Sequence, residues 1–162
     1  MSGTYDYRAM MRPIIALIKQ ATGSPVVEAS FAGKQPGYPF LSYEPLNPYT
    51  PVSVDVVDHE IFESSWSIDA YAEDQFDALN TAQAAAKSLR TQAATFKLDD
   101  AGIYLIDETD TSSRDVSFAV QEQHRVGFDI HLRVQDQFED AIETIDSLSL
   151  NGFNLPKDNK EA

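Results

Sequence analysis

One ten-residue stretch constrains this chain more than any other. Val126, Phe128, Ile130, Leu132 and Val134 fall on one parity, and Arg125, Gly127, Asp129, His131 and Arg133 on the other. Successive side chains of a strand point to opposite faces, so the stretch predicts a strand with one buried and one wet face. A helix would scatter the five apolar side chains around its circumference. A single wet face also favours an antiparallel sheet, because all-parallel sheets are covered on both sides. The predicted fold is therefore α+β: a single domain with a mainly antiparallel mixed sheet, two longer helices on one face and a short C-terminal helix.

The remaining elements follow from periodicity. Met10, Met11, Ile14, Leu17, Ile18 and Ala21 recur at helical steps, and Gly23 is placed to end the helix as a left-handed cap. Pro13 is tolerated only in a first turn, so this helix either begins near residue 10 or is kinked there. Pro25 to Phe31 reads as a short strand. Lys34 to Pro51 carries five prolines interleaved with Tyr38, Phe40, Tyr43 and Tyr49, so most of it is expected as loop or sheet edge, with room for a short strand at Phe40–Glu44. Its aromatics either dock a partner or fold back on the core. Val52–Val56 and Ile61–Ala72 are strand-like, with Ser64 breaking the apolar side of the second and suggesting a bulge or twist.

Asp74 to Gln92 is the clearest helix, capped by Asp74, with an expected apolar stripe through Phe76, Leu79, Gln83, Ala86, Leu89 and Ala93. Gly102–Ile106 and Val116–Gln121 read as strands around a polar loop, Asp107–Asp115. Phe138, Ala141, Ile142, Ile145 and Leu148 outline a short closing helix with Asp136 as its cap. Residues 1–153 are expected as one domain and 154–162 as a polar tail.

Charge narrows the function. The 162 residues carry a net charge of −14, unevenly placed. Residues 1–50 hold four Lys/Arg against three Asp/Glu, a net +1, and residues 51–162 hold eight against twenty-three, a net −15. Such a chain lacks the cationic surface that supplies most nucleic-acid affinity, so no specific nucleic-acid binding is expected. No apolar run approaches the ~20 residues that cross a bilayer, and the first residues lack the pattern of a secretory signal, so no membrane role is expected. There is no cysteine, which excludes disulfides and thiolate chemistry.

No catalytic constellation emerges. His59, His124 and His131 have no metal-ligand spacing, and glycine-rich phosphate loops and nucleophile elbows are absent from the sequence. Asp107, Glu108, Asp110 and Asp115 lack the spacing and turn glycine of a calcium hand and read as a solvated loop. Neither a catalytic residue nor a cofactor or metal is expected. For a small enzyme or ligand-binding protein, Trp66, Tyr71, Asp129 and His131 would be the residues to test. An acidic immunity or antitoxin protein is a further alternative.

The order of elements carries a resemblance. A helix ending Gln20-Ala21-Thr22-Gly23 leads to Gly37-Tyr38-Pro39-Phe40-Leu41-Ser42-Tyr43. A strand ending Ser67-Ile68-Asp69-Ala70-Tyr71 runs directly into an alanine-rich helix with Leu89 and Arg90 near its end, and Gln123-His124-Arg125 opens the last long strand. Over residues 8 to 150 this resembles the neck or tail-terminator proteins of long-tailed bacteriophages. The resemblance implies a structural virion protein, made in the host cytoplasm, that assembles with itself as a ring, with a hexamer expected. That ring would cap the tail tube, stop its polymerisation and join the tail to the head. Its partners would be the tail-tube protein and a head-completion or connector protein; another connector component or a tube subunit is the alternative within virions. Tyr38, Phe40, Tyr43, Tyr49, Asp107, Glu108, Asp110 and Arg114 are the candidate interface residues.

Overall fold

A computed structural model describes residues 5–115, 123–139, 148–150 and 153–155. The first helix, α1 (Tyr7–Thr22), begins where the Asp6 side chain accepts the Ala9 N–H at 2.9 Å. It ends at Gly23, whose φ of 67° is left-handed and whose N–H reaches the Lys19 carbonyl at 2.9 Å. The expected start near residue 10 is corrected: the Asp6 cap sets it at Tyr7, and the helix continues through Pro13. Met10, Met11, Ile14, Leu17 and Ile18 are buried as one face.

Strand β1 (Val26–Glu28) is shorter than the expected run and pairs in parallel with residues 41–43 of β2 (Phe40–Pro51). β2 therefore extends well beyond the short strand expected inside the proline-rich segment. It tolerates Pro45, Pro48 and Pro51 because no described strand pairs with its outer edge beyond Tyr43, and because its register against β3 (Ile61–Ala72) shifts between Pro45 and Asn47 and again before Thr50. Val52–Val56, expected as a strand, is instead the connection of the β2–β3 hairpin, with Val52, Val54 and Val56 turned to solvent.

Helix α2 (Gln75–Leu89) starts at Asp74, whose carboxylate accepts the N–H groups of Phe76 and Asp77. Its buried face is Ala78, Ala82, Ala85, Ala86 and Leu89, rotated from the expected stripe, and Phe76 is 70% exposed. Small side chains let the helix lie close on the sheet, so the alanines, and not the phenylalanine, face inward. The helix ends at Leu89, three residues short of the expected Gln92, and a helix that the periodicity did not predict follows it. Thr91 caps a third helix, α3 (Gln92–Asp100), accepting the Ala94 N–H at 3.1 Å.

Strands β4 (Ile103–Glu108), β5 (Ser112–Ser113) and β6 (His124–Gln135) complete a six-stranded sheet in the order β1-β2-β3-β6-β4, with β5 on β6 beyond the end of β4. β3 and β6 pair antiparallel without a register shift from Ile61–Gln135 to Ala72–His124. Val126, Phe128, Ile130, Leu132 and Val134 of β6 and Phe62, Trp66, Ile68, Ala70 and Ala72 of β3 form the core beneath the helices. Ser64 causes no bulge in that pairing: it is buried among these side chains, where its Oγ accepts the Trp66 indole N–H at 2.8 Å.

A two-stranded ribbon, β7 (Leu148–Leu150) with β8 (Phe153–Leu155), follows. Leu148, expected to end the closing helix, is thus in a strand, as are Asn154 and Leu155 of the expected tail. Residues 136–139 are irregular, and 140–147, the rest of that helix, lie outside the described residues, as does the expected strand Val116–Gln121. No described helix is long and apolar enough to cross a membrane.

Candidate functional site

The described helices cover one face of the sheet and leave the other open among the described residues, and that face is built by parity. Phe40, Ser42 and Glu44 of β2, Glu63, Ser65, Ser67, Asp69 and Tyr71 of β3, and Arg125, Gly127, Asp129, His131 and Arg133 of β6 share it. At one end Phe40 stacks on Tyr71, with centroids 4.9 Å apart and planes 8° from parallel, and the Arg125 guanidinium lies 5.8 Å from the Tyr71 ring centre. At the other end Arg133 pairs with Glu63 at 2.7 Å.

Between them lies a charge cluster that sequence reasoning missed. Asp69 is only 1% exposed although its face carries no described helix. Its two oxygens are shared between two arginines: Arg114 reaches Oδ1 at 3.2 Å and Arg125 reaches Oδ2 at 2.8 Å. Arg114 also donates to the Ser67 hydroxyl and to Asp129 Oδ1, the latter at 2.7 Å. Gly127, opposite Asp69, provides the space, since a Cβ there would overlap the carboxylate. A glycine inside a strand is the one sequence signal that pointed to so close an approach.

The cluster fastens the segment read as a solvated loop. Thr109 donates its N–H to the Asp129 carbonyl and accepts the Asp129 N–H on its hydroxyl; the Arg114 N–H reaches the Arg125 carbonyl at 2.8 Å. Asp115 accepts the Arg125 backbone N–H and stands 3.0 Å from His124 Nδ1. That backbone N–H, with the His124 ring beside it, holds the Asp115 carboxyl below its usual range. Glu108 points the other way, paired with Arg90 at 3.3 Å, and burial pushes its carboxyl up against the opposing pull of Arg90.

The candidate interface residues are thus distributed over the molecule. Tyr49, Asp107 and Asp110 are exposed; Tyr38 and Tyr43 are half-buried; Phe40 is buried against Tyr71. Glu108 and Arg114 spend their charge on intramolecular partners. Tyr49 itself donates to the buried Glu60 at 2.9 Å. The residues named for a small enzyme do not converge, because Trp66 faces the helices while Tyr71, Asp129 and His131 share the opposite face, and Asp129 is engaged by Arg114. Among the described residues no three potential metal-ligating side chains gather.

A groove of about 760 Å³ opens between α1 and the β1–β2 edge, lined by Tyr7, Met11, Tyr43, Pro45 and Trp66 with Arg8 and Glu28 at its side. It offers aromatic and aliphatic surface and one exposed ion pair, Arg8–Glu28 at 3.6 Å, a composition suited to packing against an apolar segment.

The family model described as phage neck terminator protein matches residues 8–156. The chain belongs to the phage neck terminator family. It is accordingly a structural protein of the phage neck and works among other phage structural proteins in the virion. A solved chain from the virion of a native gene transfer agent particle is 17% identical, with 80% of this chain and 91% of that one covered and a TM-score of 0.43. A second solved chain is 15% identical over 82% and 95% of the two lengths, with a TM-score of 0.41. The curated proteins yield no match. Membership of the terminator family favours a structural role over an enzymatic one, and the open face is organised accordingly, with its strongest polar groups turned on one another.

Proposed function

We propose that this terminator-family chain assembles as a ring, with a hexamer expected, that caps the tail tube, stops its polymerisation and presents the surface joining tail to head. The family match over residues 8–156 carries the reading. Three features support it: a six-stranded sheet, an edge of β2 that no described strand pairs beyond Tyr43, and polar side chains consumed by internal pairing. The protein acts without a cofactor and not as an enzyme, and is made in the host cytoplasm before entering the virion.

The partners are further copies of the chain, the tail-tube protein and a head-completion or connector protein. Among the candidate contact residues, Tyr38, Tyr43, Tyr49, Asp107 and Asp110 offer surface to them, while Phe40, Glu108 and Arg114 shape that surface from within. The net charge of −14 suits a bore through which DNA passes, because acidic walls repel phosphate.

Adding the chain to polymerising tail-tube protein tests the reading. Tubes that stop growing and bear a single terminal ring of this protein support it. Continuous stacks of the chain itself point to a tube subunit, and attachment only to heads points to another connector component.

A further inference from the structure

The β2–β3 hairpin ends in apolar side chains that nothing in the described structure covers. Val52, Val54, Val56 and Val57 are all more than half exposed, and Val54 is 102% exposed. Each valine left in water forgoes roughly 1.5–2 kcal/mol of burial, and clustered apolar exposure of this kind marks a contact surface. The base of the tip is tied down by the Tyr49–Glu60 hydrogen bond at 2.9 Å, by the His59 N–H to the Phe138 carbonyl at 2.8 Å and by Gln135 Nε2 to the His59 carbonyl at 3.3 Å. A tip held this way is presented to a partner at little ordering cost.

The groove between α1 and the β1–β2 edge has the complementary chemistry. Tyr7, Met11, Tyr43, Pro45 and Trp66 give it apolar walls, and its two carboxylates already have partners, Glu28 with Arg8 and Glu44 with Arg125, each at 3.6 Å. α1 contains no acidic residue, and at ~100° per residue Arg8, Arg12 and Lys19 lie along one stripe of it. The hairpin is the opposite: residues 35–86 contain no Lys or Arg, and Asp55 and Asp58 sit within the connection between its strands. A hairpin cannot reach its own groove, because β2 leaves the groove at Pro45 and runs roughly 20 Å to Pro51. Pro45, Pro48 and Pro51 also remove donors from that edge, which favours side-chain insertion over strand addition.

We propose that the valine-rich hairpin tip of one copy inserts into the α1–β2 groove of a second copy, joining protomers head to tail. This rests on the ring reading above and names its contact. Two different patches on each copy make the interface heterologous, the class that closes into a ring when its rotation permits.

The test uses two variants of the full chain. Val54→Asp with Val56→Asp alters the tip at exposed positions, and Ser30→Trp fills the groove from an exposed lining position. Circular dichroism checks that each folds, and light scattering reads mass. The wild-type protein should assemble, and each variant alone should fall to the 18.0 kDa single chain. An equimolar mixture should give a 1:1 heterodimer and nothing larger, because one tip and one groove remain intact. A tip variant that assembles like wild type overturns the docking while leaving the ring standing, and so does one that loses only tube binding. A mixture that stays monomeric, or that regains full assembly, also overturns the docking. Wild-type protein that is monomeric at every concentration, alone and with tail-tube protein, overturns both.

Discussion

Gly127 faces Asp69 across the β3–β6 ladder, and a Cβ placed on Gly127 would overlap Asp69 Oδ1 and lie 2.7 Å from the Ile68 carbonyl oxygen. The missing side chain on one strand is therefore what admits a buried carboxylate on the next. That carboxylate binds Arg114 and Arg125, and so joins β3, β6 and the segment after β4. Gly127→Ala should destabilise the fold by about 1–3 kcal/mol, the range for forced overpacking. Adding Asp69→Ala should recover only part of the overlap, because the Ile68 carbonyl stays in place. Urea unfolding of the single and double variants measures both.

Asp69→Asn should cost about 3 kcal/mol, since it leaves two partly buried guanidinium groups without their shared anion. Arg114→Ala should act more locally. Asp69 keeps Arg125, but the segment carrying Thr109 and Arg114 loses its anchor, so amide exchange at those two positions should accelerate while core amides of β3 and β6 hold. Hydrogen-exchange mass spectrometry separates the two outcomes.

Ser64→Ala should cost about 1–3 kcal/mol, because the buried Trp66 indole N–H would lose its acceptor at 2.8 Å. Loss of stability without change in the unfolding slope m would identify an effect confined to that bond.

Two carboxyls set opposite pH dependences. Unfolded Asp115 ionises near ~3.9, whereas its folded carboxyl ionises lower, held by the Arg125 backbone N–H and the His124 ring. Its stabilisation is present above the unfolded value and is lost as pH falls through the folded one. Glu108 is raised by burial, so its contribution is present below its unfolded value near ~4.3 and is lost as pH rises through the folded one. Asp115→Asn should flatten the acid limb of a stability–pH profile. Glu108→Gln should raise stability at pH 7, because the exposed Arg90 partner returns little. Urea midpoints from pH 3 to 7 test both signs.

Much of the frame was legible because it depends on local period. The alternation at 125–134 places β6 and its buried face, and Gly23 and Asp74 act as the helix punctuation their chemistry suggests, whereas the Asp6 cap was missed. Errors arose where two readings share a composition. In an alanine-rich helix every face looks apolar, so Phe76 drew the stripe to the wrong side, and Thr91 hid a cap inside a run of good helix formers. Val52–Val56 alternates like a strand yet turns, because its valines meet no core among the described residues. The charge cluster left one trace in the sequence, a glycine inside a strand, and was otherwise not legible. It requires Asp69 to lie opposite Gly127 and Arg114 to return beside β6, relations of register and long-range pairing that no single segment encodes.

The solution mass of the purified chain by light scattering, alone and with tail-tube protein, tests the central claim most directly. A single closed assembly of uniform stoichiometry, six copies being expected, that binds tube ends without growing further is the predicted result. A protein that stays at one 18.0 kDa chain in both conditions would contradict it.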